Sequence, residues 1–360
     1  ETAPSSFFAA VQSRDFEGAL KSWGTSGEGV DLAEVDAKGE SSLHLLARSK
    51  KYDDTCAALF AKVLAAASEI LSHCNDAGQS FLHCAAGRLN CRILAQAVSE
   101  CPQLAPLFAQ KDSSGQTPMS ILAKHLLSRG PKPSRPAAVE VPAPDTAGEE
   151  VTLEVEDEVQ GKVVRFSCRS SLLQLSQRFS QELRAQPDRQ PQTLKVAPDC
   201  CRSARVLQEA FALLSGSVSD VSMDGRELWQ LLSFCVQYGL PELKAWASNR
   251  LLHCIHDDAN AAVLPMLLRG AKACGLSSAE RRYVLYCLLT TPEALLSAGH
   301  SQNGAARQAK VLQVALAELE TFTRPSRTGD VHSAPRGPCR AVDVPLEGTK
   351  LRSAYAAAEA

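Results

Sequence analysis

Apolar residues recur along this chain with two different periods, and the changes of period divide it. In FFAAVQSRDFEGALKSW (7–23) and TCAALFAKVLAAASEIL (55–71) they fall at the three- and four-residue spacing of helices. Beyond the proline-dense stretch SRGPKPSRPAAVEVPAPDTAGEE (128–150) the period drops to two. VTLEVED (151–157) alternates, and GKVVRFSC (161–168) follows after a short turn, which predicts a β-hairpin. Helical spacing returns in RSSLLQLSQRFSQELR (169–184), with leucines and Phe179 on one face. QTLKVAPD (192–199) reads as a third short strand, and helices are expected over 203–219, 224–240, 241–255, within 257–296 and over 305–322. After Thr323 the chain turns to Arg, Pro, Ser and Gly, a composition expected to lose order. Proline at the density of 128–148 excludes helix and sheet and stiffens a spacer, so that stretch is read as an interdomain linker.

Before that linker a single polar frame occurs three times among the helices: DAKGESSLHLLA (36–47), NDAGQSFLHCAA (75–86) and DSSGQTPMSILA (112–123). Gly39, Gly78 and Gly115 lie 39 and 37 residues apart, which is repeat spacing. In each frame Gly tolerates positive φ in a turn, Ser or Thr can cap the helix that follows, and Leu43, Leu82 or Met119 points into a stack. His44 and His83 stand at equivalent places, where a ring can hydrogen-bond turn backbone and brace the next unit. These frames resemble the ankyrin repeat, in which an Asp/Asn–Gly turn leads into Thr-Pro-Leu-His. Only the third unit keeps the pair Thr117-Pro118, and its His has become Ser120, as in a terminal cap. The segment 7–23 could supply a preceding partial repeat without the turn motif.

The order hairpin, helix, strand and then helices after the linker resembles the BTB (POZ) domain. The residues that carry the likeness are Phe166, Leu172, Leu173 and Phe179, then Phe211 to Val218 with Gly216, then Leu228 to Tyr238-Gly239-Leu240-Pro241-Glu242-Leu243. Gly239 and Pro241 suit one helix ending where the next begins. Two departures bear on function. Cys168 and Arg169 stand where the family has a His at the head of its first helix, and Glu149 or Glu150 stands for the Asp before its first strand. The short acidic-anchored motif with which many relatives grip a cullin scaffold has no counterpart that can be placed. The helix, Gly-Leu, helix rhythm of 257–296 resembles the start of the BACK module. The expected fold is therefore multidomain: an all-α ankyrin repeat stack (1–127), a proline-rich linker (128–148), an α/β BTB (POZ) domain (149–255), an α-helical BACK-like region (256–322) and a disordered tail (323–360).

Composition narrows the function. Lys and Arg number 38 against 40 Asp and Glu, so the overall field gives no drive toward nucleic acid or an anionic membrane. The apolar run near Ala57–Ala67 is broken by Lys62 and is too short to span a bilayer, and the opening ETAPSSFFAAVQS lacks the pattern of a secretory signal. The 13 cysteines are an odd number set in apolar helical patterns such as LLSFCVQYG, RLLHCIH and RYVLYCLL, the usage of buried thiols in a reducing compartment, hence cytoplasm or nucleus.

No nucleotide loop, His-Glu-x-x-His or Gly-x-Ser-x-Gly occurs, SGSVSD (215–220) being the nearest approach, and no cofactor is expected. His73, Cys74, His83, Cys84 and Cys91 form a ligand-like list without paired Cys-x-x-Cys knuckles. Cys200 and Cys201 adjoin Asp199 and Arg202 in a polar loop, where a nearby Arg could lower a thiolate pKa. His253 and His256 read as helix-end residues. The acidic EEVTLEVEDE (149–158) reads as a solvated strand face, or as a docking feature for basic partners.

The resemblances imply a non-catalytic protein-interaction adaptor, in its most concrete form a substrate receptor for a cullin-3 ubiquitin ligase that captures a substrate protein and forms a homodimer. A BTB-based scaffold or transcriptional or signalling co-regulator is the alternative, and a cysteine-based redox or metal-binding protein a third.

Overall fold

The computed structural model describes residues 6–26, 30–49, 52–66, 70–137, 139, 148–158, 160–185, 192–197, 201–218, 221–255, 263–291 and 304–323. These fall into two compact units: one holds the described residues up to Pro133 together with those from Leu285 onward, and the other runs from Ser134 to Val284.

The first unit is a row of helix pairs. Helices α1 (Ser6–Ser13) and α2 (Phe16–Ser26) fold back on each other through Arg14, at φ 64°, and close with Phe7 edge-on to Trp23 at 5.4 Å. The three frames then open α3 (Ser42–Ala47), α5 (Phe81–Gly87) and α7 (Pro118–Ser128). Between them lie α4 (Asp54–Ala66), α6 (Cys91–Glu100) and a 3-10 helix (Pro102–Ala109). Like packs on like: α1 on α3, α3 on α5, α5 on α7, and α2 on α4, α4 on α6. Leu43, Leu46, Phe60, Phe81, Leu82, Ile93 and Met119 are fully buried along this row, so the core is continuous from unit to unit, as stacked repeats require.

The second unit is built on β1 (Glu150–Asp157), β2 (Lys162–Arg169) and β3 (Thr193–Lys195), in the order β2-β1-β3. The expected hairpin forms: β1 and β2 are antiparallel, Leu153 opposite Phe166, with Gly161 at φ 61° in the turn between them. β3 runs parallel to β1, with Leu194 beside Leu153. A parallel neighbour requires a crossover, and α8 (Ser170–Gln174) and α9 (Gln177–Arg184) lie in it. The alternation of β1 has its physical outcome, since Val151, Leu153 and Val155 are buried against α10 (Ala204–Leu214) while Glu154 pairs with Arg165 at 2.7 Å. Helix α11 (Gly225–Tyr238) opens with an Asp224–Glu227 capping box and stops at Gly239, φ 68°, and α12 (Pro241–Cys254) begins two residues later. The ring of Trp229 lies on Gly270 of α13 (Val263–Gly270), where any side chain would collide with it.

The structure differs from the sequence reading in three places. The helix expected over 169–184 breaks at Ser176, because its hydroxyl accepts the Phe179 N–H at 3.2 Å and donates to the Tyr238 carbonyl, starting a new helix at a new angle. The region 256–322 does not stay together: α13 packs on α11 in the second unit, whereas α15 (Gly304–Thr323), which follows α14 (Ser278–Thr290), packs on α6, the 3-10 helix and α7 of the first. Within the linker expected over 128–148, Arg135, Pro136, Ala137 and Val139 hydrogen-bond to α12, so that part is not a free spacer. Residues 140–147 and 324–360, including the expected tail, lie outside the described residues.

Candidate functional site: a zipped row of turns

Each frame closes by the same set of bonds. Asp36 Oδ1 accepts the N–H groups of Lys38 and Glu40 at 2.8 and 2.9 Å, Asn75 Oδ1 those of Ala77 and Gln79 at 3.1 and 3.0 Å, and Asp112 Oδ1 those of Ser114 and Gln116, both at 2.9 Å. A short side-chain acceptor two residues before the tight corner is what such a turn requires, and it explains Asp or Asn at the first position. Consecutive turns are zipped tip to tip: the Asp76 N–H donates to the Lys38 carbonyl and the Ser113 N–H to the Ala77 carbonyl, each at 3.1 Å.

The histidines answer to backbone on both sides. Nδ1 of His44 accepts from the Ser41 N–H at 3.3 Å, and its Nε2 lies 2.8 Å from the Gln79 carbonyl of the next unit. Nδ1 of His83 accepts from the Ser80 N–H at 3.1 Å, and its Nε2 lies 3.1 Å from the carbonyls of both Gln110 and Gln116. An amide N–H can only donate and a carbonyl can only accept, so each ring is the neutral Nε2–H tautomer. Burial lowers the pKa of His44 to about 4, against the opposing pull of the Gln79 carbonyl, and lowers that of His83 for the same reason. Ser120 in the third frame completes a capping box with Thr117, at 2.9 and 3.0 Å, and its hydroxyl donates to the Thr117 carbonyl, so the histidine ladder ends there.

Further polar residues tie the row together. His73 Nε2 meets the Gly39 carbonyl at 2.8 Å, and its ring stands edge-on to His44 at 5.6 Å. Buried Glu40 holds Arg48 at 2.6 Å, and Arg48 Nε reaches Cys84 Sγ at 3.5 Å. The repeat frame already contained the signal for Glu40, since Gln79 and Gln116 stand at its position, but a charged Glu there gave no sign of burial. Of the ligand-like list, His73 and His83 spend Nε2 on backbone carbonyls, Cys84 takes the Arg48 bond, and buried Cys91 has its thiol pushed up to about 12 by burial. Among the described residues no group of three or more His, Cys, Asp or Glu side chains could hold a metal ion.

What this frame leaves outward are the two positions between the Asx residue and the glycine. Ala37 and Lys38, Asp76 and Ala77, and Ser113 and Ser114 are all at the surface, and they differ in charge and polarity from turn to turn on an otherwise repeated scaffold.

In the second unit the motif residues converge on one aromatic core. Phe179 lies 4.4 Å from Tyr238 and 6.2 Å from Phe234, and Phe211 lies 6.4 Å from Phe234 and 6.2 Å from half-buried Phe166. The Tyr238 hydroxyl accepts the Ala197 N–H at 2.9 Å, Leu172 and Leu243 are buried, and Gly216 takes φ 69° after α10. These residues pack the unit. The surface feature beside them is an open groove of about 580 Å³ lined by Glu150, Phe166, Cys168, Arg169, Leu172 and Phe211, at one end of β2, whose outer edge pairs with no strand among the described residues. Val163 on that strand is 52% exposed. Cys168 is buried with its thiol pushed up to about 12 by burial, and Arg169 points its guanidinium to the Gly148 carbonyl at 3.3 Å.

Cys201 does not lie near solvent beside Arg202 as the sequence suggested. It is buried, its Sγ sits 3.5 Å from the Ser203 carbonyl, and burial pushes its pKa up to about 12, the opposite of an activated thiolate. Cys200 and His256 lie outside the described residues. Among the described residues no helix is long and apolar enough to cross a membrane. No protein-family model matches the chain, and no curated protein matches it.

Proposed function

We propose that the chain is a non-catalytic adaptor that brings two proteins together. Its first unit captures a partner on the line of exposed turn tips, and its second unit recruits another protein through the groove and free edge at β2. The zipped turns carry this reading: buried histidines, the Glu40–Arg48 pair and three side-chain acceptors fix a row of loops whose outward positions differ in charge and polarity from turn to turn. The sheet order β2-β1-β3 with a parallel outer strand, and the helix pair α11–α12 joined at Gly239, support the resemblance of the second unit to a BTB domain. In the most concrete form the second protein is cullin-3 and the first a ligase substrate. Tethering a substrate to a ligase raises its effective concentration, and the ligase supplies the chemistry.

The second reading keeps the architecture as a dimeric scaffold or co-regulator without a ligase. The absence of a placeable counterpart to the acidic-anchored motif with which many BTB relatives grip a cullin favours it. Light scattering coupled to size exclusion, with and without excess cullin-3 N-terminal region, separates the two. A dimer that shifts to a larger complex is expected from the ligase adaptor; a dimer that does not shift leaves the scaffold, and a monomer removes self-association from both.

A further inference from the structure

The linker segment lies along α12 in a way that ordinary packing does not require. The Asn249 side-chain amide donates to the Ala137 carbonyl at 2.5 Å and accepts the Val139 N–H at 3.4 Å, so one amide reads two backbone groups, as a neighbouring strand would. His253 Nε2 meets the Pro136 carbonyl at 2.9 Å, and Arg135 Nη2 donates to the His253 carbonyl at 3.1 Å, near the C-terminus of α12 where the helix dipole favours a cation. Asn249 is only 8% exposed, whereas Ala137 and Val139 above it are exposed and add no apolar core. A buried amide that satisfies itself on the backbone of an exposed, proline-preset strap is the chemistry of a peptide-binding site.

We propose that this face of α12 is a binding site for extended Arg-Pro-containing peptides, occupied in the resting chain by its own Arg135, Pro136, Ala137 and Val139 acting as an intramolecular plug. The helix reads backbone groups, so the strap's own side chains matter little beyond Arg135, which reaches the helix end, and Pro136, which presets the extended conformation. An outside peptide must displace a ligand held at the high effective concentration of a short tether, so the site is closed until the plug is released. This inference does not depend on the adaptor reading, because it concerns a face that neither of the surfaces proposed above uses.

The test uses the full chain with residues 134–139 replaced by a Gly/Ser segment of equal length, and a fluorescent peptide of residues 133–140 followed by anisotropy. The unplugged chain is expected to bind the peptide saturably, the unaltered chain at least about tenfold more weakly, and Asn249→Ala or His253→Ala in the unplugged chain to lose about tenfold or more. A peptide with Arg135 and Pro136 both changed to Ala is expected to bind more weakly than the natural one. No binding up to about 1 mM to an unplugged chain of unchanged circular dichroism, or equal binding to plugged and unplugged chains, overturns the proposal. Should the replacement unfold the unit, Arg135→Ser in the intact chain takes its place, and faster hydrogen exchange at Val139 with tighter peptide binding is then expected; no change in either overturns the proposal as well.

Discussion

At the scale of single residues, the two buried histidines make stability depend on pH in a stated direction. His44 has a pKa of about 4 when folded against an ordinary 6.5, so the unfolded chain takes up the proton first. Its contribution is whole above pH 6.5 and drains as pH falls toward 4, with a loss of about 2 kcal/mol expected between pH 7 and pH 5. Denaturant titrations at the two pH values check this: His44→Gln should be less stable at pH 7 yet lose less on acidification than the natural chain, and an unchanged slope would contradict the assignment. The glycines of the same frames divide by what surrounds them. Gly78 and Gly115 both have positive φ, but a Cβ at Gly78 would sit 2.6 Å from Ser113 Oγ and 2.9 Å from Ser113 N, whereas one at Gly115 meets nothing within 4 Å. Gly115→Ala should therefore cost only the backbone conformation, about 1 kcal/mol, and Gly78→Ala clearly more, because it also pushes apart two zipped turns. Equal losses in thermal denaturation would mean that the tip-to-tip contact contributes nothing.

At the scale of elements, stacking depends on side chains that point between helices. Leu82→Asp places a carboxylate with no partner among fully buried apolar residues and is expected to cost several kcal/mol, enough to unfold the repeat row. Loss of helical signal with a preserved Trp229 fluorescence environment would show that the second unit survives, and on the proposed adaptor function capture of a partner by the first unit should be lost with the row. In the second unit Ser176 is the corresponding point, because its buried hydroxyl both caps α9 and ties it to the end of α11 at Tyr238. Ser176→Ala is expected to cost about 2 kcal/mol in denaturant titration, and Ser176→Thr to recover some of it. The elements themselves were largely legible. The hairpin, the three turn frames and the stop at Gly239 follow from alternation, from the Asx-x-x-Gly pattern and from the need for a left-handed cap. The break at Ser176 was not legible, since 169–184 keeps helical spacing throughout and only the distant Tyr238 carbonyl decides which way Ser176 turns. Nor was the burial of Cys201 or Glu40, because polar neighbours in sequence do not say which way a side chain points.

At the scale of the whole molecule the chain leaves its first unit at Pro133 and returns to it at Leu285. Spacing in AARQAKVLQVALAELETF shows that one face of α15 must be covered, yet nothing local says by what, and the cover lies about two hundred residues earlier in α6 and the 3-10 helix. Val311, Leu312, Ala315, Leu316 and Leu319 are buried there, and Cys91 of α6 feels the charge of Glu320. A chain shortened to residues 1–133 thus keeps its turn frames but bares the apolar backs of α6 and the 3-10 helix, and it should melt at a lower temperature and self-associate. Loop-closure entropy grows only slowly with the length of the intervening chain, so the covalent connection is not what makes the contact; complementarity of the two faces is. A synthetic peptide of residues 304–323 added to the 1–133 fragment should therefore gain helicity, raise the melting temperature and suppress the self-association, while the same peptide with Leu312→Asp and Leu316→Asp should do none of these. If the natural peptide stays unstructured beside a folded fragment, α15 is a consequence of the intact chain and the first unit is complete without it. If it binds, the repeat row is a structure finished by the helix Gly304–Thr323, and its packed core is complete only once that helix has been made.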